Sequence, residues 1–317
     1  MTSAEPAIRV EGLGRRFGDV VAVDALSFAV QPGELFGLLG PDGAGKTTTL
    51  RMLAGVLRPS AGDAWMAGDS IVRDPEAVKP HVAYMSQRFG LYTDLTVREN
   101  LDFYADLYRV PRRERAARLE RLYRFSNLRP FQDRLAGQLS GGMKQKLGLS
   151  CALVHEPEIL LLDEPTFGVD PISRRDLWII VHEMVARGVT AVVSTAYMDE
   201  AERFDRVALL DRGRLLALDA PAALQSGLAG RVRALRAEPL RDAQRAAEHA
   251  PGVRAAAVFG DELHVVFAAA GEPVVDEAAE QLARTLVAAG IRLHAHRPIA
   301  ASMEDVFIDR LTTPGTG

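Results

Sequence analysis

The chain has a single cysteine and only four lysines in 317 residues, and nowhere do about 18 apolar residues run uninterrupted. Each shortage excludes something. Cys151 cannot close an internal disulfide, so nothing points to an oxidising compartment and the cytosol is the default. No segment is apolar enough to insert directly into a bilayer, so any action at a membrane requires another chain that spans it. The start, MTSAEPAIRVEGLG, lacks the basic end and apolar core of a signal peptide. A net charge of −4, from 38 basic and 42 acidic residues, excludes a nucleic-acid coat and gives no hint of a nucleic-acid partner. Lysine occurs only at 46, 79, 144 and 146, against abundant arginine, which makes the position of each lysine informative.

What remains is a large, ordinary globular core, long enough for one large domain and a smaller one. Up to about residue 222, short β-branched runs alternate with helical patterns, the signature of a mainly parallel α/β layer. AIRVEGL and ALSFAV suit an antiparallel edge, ELFGLLG (34–40) a buried strand, and GKTTTLRMLAGVL the helix after it. A helical subdomain is expected at about 90–157: Thr96 and Glu99 form a capping box before a helix through Tyr108, and RRERAARLERLYRF (112–125) is a charged amphipathic helix. EILLLDE (158–164) and TAVVS (190–194) restore the buried-strand pattern. Small residues at 223–230 suggest a linker. Residues 231–317 then read as β-α-β-β-α-β, a small α+β domain, closed by the helical SMEDVFIDRL (302–311). His294 and His296 share a strand face by the period of two, but without a third ligand at suitable spacing they are surface residues.

GPDGAGKT (40–47) fits the phosphate-binding loop G-x-x-x-x-G-K-[ST] and lies between a strand and a helix, as that loop requires. The pattern arises by chance in on the order of one chain in a hundred of this length. Gly40, Gly43 and Gly45, with Pro41, Asp42 and Ala44 between them, let backbone N–H groups turn toward phosphates, and Thr48 continues into the helix whose positive dipole end adds to the site. Lys46 neutralises the β- and γ-phosphates there, and the Thr47 hydroxyl is a Mg²⁺ ligand. ILLLDE (159–164) supplies Asp163 for Mg²⁺ and Glu164 to orient and deprotonate the attacking water. LSGGMKQKLGL (139–149) puts Ser140, Gly141 and Gly142 at a second helix start that suits an anion, either as a plain Ser cap or as a site for another subunit's nucleotide.

GPDGAGKT, Gln87 after HVAYMS, LSGGM, ILLLDEP and FGVD, in this order and spacing, resemble the P-loop, Q-loop, signature, Walker B and D-loop of an ATP-binding-cassette ATPase over roughly residues 6–220. The resemblance implies a P-loop NTPase cassette with a RecA-like core, an antiparallel β edge and a helical subdomain. It implies ATP and Mg²⁺ as cofactors, and a head-to-tail dimer with each ATP sandwiched between one subunit's P-loop and the other's signature. Carried over by position, Phe17 stacks on adenine, Gln87 meets Mg²⁺ and the permease, and Asp170 crosses the dimer interface. Residues 231–317 are similar to the accessory domain of cassettes in exporters of the daunorubicin-resistance or ABC-2 type. The implied role is ATP-driven export through a separate ABC-2-type permease, with the chain held peripherally at the cytoplasmic face of the inner membrane. A soluble ribosomal or DNA-repair cassette is the alternative, but such relatives carry two cassettes or long coiled-coil insertions, and no heptad run occurs here. A nucleotide-gated regulatory cassette is the third reading.

Three positions depart from the family pattern. Asp42 replaces asparagine and adds negative charge near the phosphates, and Met143 replaces the glutamine of the signature. Ala196, in STAYMDEAE, stands where the family places a histidine that contacts the γ-phosphate. Loss of one preorganised contact costs about 3–4 kcal/mol in other enzymes, so the expectation is ATP binding with slow hydrolysis. A second, histidine-bearing cassette then completes a heterodimer in preference to a homodimer.

Overall fold

The structure, a computed structural model, describes residues 5–87 and 90–312. The ends of the two expected domain ranges, 1–4 and 313–317, lie outside the described residues, as does the first part of the segment read for a signal peptide. The chain forms two compact units. One comprises residues up to 197 together with 203–215, and the other comprises 198–202 with the residues from 216 onward.

In the first unit, β1 (Ile8–Phe17) and β2 (Val20–Val30) form an antiparallel hairpin, with Ile8 opposite Val30 and Phe17 opposite Val20. β3 (Leu35–Leu39) is buried at every position and leads through the glycine-rich loop into α1 (Lys46–Leu53). α1 is shorter than its apolar pattern suggested. The N–H of Gly55, at φ +67°, is accepted by Met52 O and that of Val56 by Arg51 O, a Schellman close that stops the helix before Val56 and Leu57. β4 (Ala61–Met66) was not expected, because its Gly and Asp are poor strand formers; pairing to β1 holds it there, with the short β5 (Asp69–Ser70) beyond it. A one-turn α2 (Pro75–Val78) precedes β6 (Val82–Met85).

The helical insertion follows the sequence closely. α3 (Val97–Leu107) starts at Thr96, whose hydroxyl accepts from Glu99 N while Glu99 accepts from Thr96 N, so the capping box is complete. α4 (Arg112–Ser126) ends on Asn127 in the left-handed conformation, and α5 (Gly141–Leu153) starts at Ser140. Cys151 is buried within α5. β7 (Ile159–Asp163), α6 (Pro171–Val185), β8 (Thr190–Thr195) and β9 (Arg206–Asp211) complete the layer, and the chain leaves this unit within β10 (Arg214–Asp219). β9, β3, β8, β7 and β6 run side by side in that order, each pair parallel. β7 and β8 are buried throughout, which is why both read as unbroken apolar runs rather than alternating ones.

In the second unit, α7 (Pro221–Ser226) runs into the segment read as a linker, and Leu224 and Leu228 are buried. Proline at its first position starts the helix where composition alone suggested only loosening. β11 (Val232–Glu238), α8 (Leu240–Glu248), β12 (Val253–Phe259), β13 (Glu262–Phe267), α9 (Glu272–Ala288) and β14 (Arg292–Pro298) give the expected β-α-β-β-α-β order. The sheet order is β12-β13-β11-β14, antiparallel at every pairing. Leu235, Leu263, Phe267, Leu282 and Leu286 lie in its buried core. His294 and His296 are exposed on β14. α10 (Met303–Thr312) follows. Among the described residues no helix is long and apolar enough to cross a membrane.

α10 is held by a capping pair and a hydrogen bond from His264 to a buried carboxylate. Ser302 Oγ accepts from Asp305 N, Asp305 accepts from Ser302 N, and His264 Nδ1 lies 2.9 Å from Asp305 Oδ1. Burial opposes ionisation of Asp305, but the bonds from His264 and Ser302 outweigh it and hold the carboxyl below its usual range. A carboxyl with a depressed folded pKa stabilises the fold above its unfolded value, near pH 4, and loses that contribution as the pH falls through the folded value. Asp305→Ala is therefore expected to cost about 1–3 kcal/mol at neutral pH. Asp305→Asn is expected to flatten the acid side of the stability profile, as read by thermal unfolding of the full chain between pH 3 and 7, on the order of the window the shift defines.

Candidate nucleotide and hydrolysis site

The C-terminal ends of β3, β7 and β8 bring the loops that follow them to one edge of the layer. Leu39 is level with Thr195, and Asp163 with Ser194. Gly40 N donates to Thr195 O at 3.4 Å, so the half-buried Ala196 follows directly beside the opening of the glycine loop.

Three glycines of that loop are required for two different reasons. Gly43 and Gly45 have φ of +81° and +99°, a region that L side chains avoid. Gly40 is not in that region; a Cβ there would run into the carbonyl oxygen of Leu210. At Gly45 both reasons apply, since a Cβ would also stand 2.6 Å from Ala22 O. Gly43 has nothing within 4 Å of such a Cβ and faces a cavity of about 480 Å³, lined by residues 42–48, Val20–Ala22, Gln87 and Glu164. Phe17 lies outside that lining, 47% exposed at the end of β1, with the Arg15 guanidinium 4.5 Å over its ring.

Lys46, 4% exposed, donates to Gly40 O at 2.7 Å and Pro41 O at 3.0 Å, and its ammonium is 3.2 Å from Glu164 Oε1. Gln87 Nε2 donates to Glu164 Oε2 at 3.1 Å. Thr47 Oγ1 donates to Asp163 Oδ1 at 2.9 Å. The oxygens of Thr47 and Asp163 are hard donors close together, the type that Mg²⁺ selects. Tyr84 donates to Asp163 Oδ2 at 3.3 Å; its own burial, and then the Asp163 charge, push its pKa to about 12, so it stays a donor through the neutral range. Lys46, Thr47, Gln87, Asp163 and Glu164 thus converge, although up to 118 positions separate them in sequence, from 46 to 164.

Asp163 and Glu164 share a partner that sequence reasoning missed. Ser194 is fully buried, donates to Asp163 Oδ1 at 2.8 Å and accepts from Glu164 N at 3.0 Å. The available signal was a hydroxyl in an otherwise apolar buried strand, where serine is uncommon.

Ser140, Gly141, Gly142 and Asp170 are not among the residues lining that cavity. Ser140 caps α5 by accepting from Met143 N at 3.3 Å, and Asp170 caps α6 by accepting from Ser173 N at 3.0 Å. That backbone bond, with further hydrogen bonds around it, keeps the Asp170 carboxyl below its usual range.

The family described as ABC transporter matches residues 23–167. A Nod factor export ATP-binding protein I from Paraburkholderia xenovorans (strain LB400) is 38% identical over 313 residues, covering 97% of this chain and 97% of its own length. The chain belongs to the ABC transporter family. It is an ABC-type ATPase, and the ligand of such a cassette is ATP. A probable multidrug ABC transporter ATP-binding protein, YbhF, from Escherichia coli (strain K12) is 51% identical over 229 residues, 72% of this chain; the chain matches 40% of the length of that relative. Among solved structures, the ATP binding subunit of an ABC transporter is 30% identical with a TM-score of 0.64, over 70% of this chain and 92% of its own. A nucleotide-free ATP-binding cassette, 24% identical with a TM-score of 0.63, shares the fold.

Within this ABC ATPase, a Cβ on Gly141 would meet nothing within 4 Å, whereas a Cβ on Gly142 would collide with the Ser173 side chain at the start of α6. Gly142→Ala is expected to lower stability by about 1–3 kcal/mol through overpacking. Adding Ser173→Gly, which removes the obstructing atoms, is expected to restore part of that loss. A denaturation double-mutant cycle checks this, since simply additive losses exclude a direct contact.

Proposed function

We propose that this ABC ATPase powers export through a separate ABC-2-type permease, held by it at the cytoplasmic face of the inner membrane. The cassette is assigned to 1–222, the joint to 223–230 and an accessory domain to 231–317. The observation that carries the reading is the convergence of Lys46, Thr47, Gln87 and Glu164 on one cavity, with Asp163 bonded to Thr47. The relative named for Nod factor export supports the transport direction, and the one named as a probable multidrug ABC transporter protein supports the transport role.

In this reading, backbone N–H groups of residues 40–48 cradle the phosphates of ATP, and Lys46 shifts from pairing Glu164 to neutralising the β- and γ-phosphates. Thr47 and Asp163 would hold Mg²⁺, with Gln87 beside them; bound there, the cation would shield the phosphate charge. Glu164 orients the attacking water and takes its proton. Phe17 stacks on adenine, with Arg15 on its ring. Ser140, Gly141, Gly142 and Asp170 face the nucleotide of a second cassette in a head-to-tail pair.

Ala196 has only a methyl group to offer beside Gly40. The site on this chain's own P-loop therefore hydrolyses slowly, and a second cassette with histidine at that position forms the preferred heterodimer. A cassette that binds ATP and hardly turns it over is the second reading, favoured by this same residue and opposed by the retained Glu164.

ATPase turnover of the chain alone and mixed with a histidine-bearing partner cassette decides among these. Slow turnover alone and fast turnover in the mixture is the expected result; full activity alone overturns the heterodimer. Ala196→His is expected to raise turnover of the isolated chain by about 10²–10³, with ATP affinity changed little. An unchanged rate in that variant removes Ala196 as the limiting feature.

A further inference from the structure

We infer that Ser194 is a positioning residue for hydrolysis, holding Asp163 and Glu164 at once through a single hydroxyl. This rests on the roles assigned above to those two carboxylates.

The hydroxyl has one proton and two lone pairs, and both kinds of capacity are used. The proton goes to Asp163 Oδ1 at 2.8 Å, and a lone pair receives Glu164 N–H at 3.0 Å. The backbone carbonyl of the same serine also accepts from Glu164 N, at 3.2 Å. Glu164 needs this support because its φ is +48°, a left-handed conformation that costs a non-glycine residue about 1–3 kcal/mol. The turn that aims Glu164 is thus anchored to one residue of the neighbouring strand.

Asp163 depends on it differently. Oδ1 also receives the Thr47 hydroxyl at 2.9 Å and Oδ2 the Tyr84 hydroxyl at 3.3 Å. Thr47 would be shared with the metal, and the Tyr84 bond is long. Ser194, with no exposed surface and paired in register with Asp163 on the adjacent strand, is the donor that keeps the carboxylate aimed when Thr47 turns to the cation. A hydroxyl meets both demands: an alanine loses the bond to Asp163 and leaves Glu164 N the backbone carbonyl alone, and a thiol donates weakly.

The test compares Ser194→Ala, Ser194→Thr and Glu164→Gln in the full chain. Single-turnover ATP hydrolysis, ATP binding, Mg²⁺ titration of activity and thermal unfolding are measured for each. Ser194→Ala is expected to lower kcat about tenfold or more, to leave KM for ATP within about threefold, and to raise the Mg²⁺ concentration for half-maximal activity. Ser194→Thr is expected to recover most of the rate. A Ser194→Ala protein with wild-type kcat and Mg²⁺ dependence, while Glu164→Gln abolishes turnover, overturns the inference and leaves the proposed function standing. So does a Ser194→Ala protein whose losses of rate, binding and thermal stability move together, or a folded Ser194→Thr protein as slow as Ser194→Ala. Full turnover in Glu164→Gln instead overturns the assignment of Glu164 itself.

Discussion

The rest of the site depends on the level ends of three parallel strands. β3, β8 and β7 are paired so that Leu38, Ser194 and Asp163 lie in one row across the sheet. A slip of one residue in any of them would send every side chain of that strand to the opposite face. Slippage is resisted because all three strands are buried throughout, so neither face tolerates exchange. The chemistry then needs little further design: whatever follows each strand emerges beside its neighbours. The glycine loop, the acidic pair and the STA segment become contiguous for this reason, although they are far apart in the chain.

Much of this was legible in the sequence because the signals are local. A glycine loop ahead of Lys46 and Thr47, an apolar run into Asp163 and Glu164, and the Thr96–Glu99 capping box each specify their geometry within a few residues. The βαββαβ order after residue 230 was legible for the same reason, since its periods restart cleanly after α7. The misses share a different cause. β4 is a strand because β1 offers it partners, and no property of AGDAWM says so. α1 stops at a backbone conformation taken by Gly55, which a longer apolar pattern conceals. α7 occupies a stretch whose small residues suggest looseness until Leu224 and Leu228 find a core. Ser194 was hidden because its meaning comes from the adjacent strand, not from its own.

Asp42 and Ala196 illustrate how far local reading extends. Both lie in loops whose course is set by the strands they follow, β3 and β8. Asp42 lines the cavity and adds negative charge beside N–H groups that attract anions. Ala196 follows the end of β8 and presents only a methyl group there. At such positions the strand ends and turns set the course of the backbone, whatever the side chain offers.

The close approach of Gly142 to Ser173 has a mechanical consequence. Soft side chains between two helix starts would absorb a small displacement, as a cushion does. Here a glycine backbone meets a serine directly, and that serine's N–H is already tied to the Asp170 carboxylate. The start of α5 therefore sits so close to the start of α6 that residue 142 has room for a hydrogen and for nothing larger unless Ser173 moves.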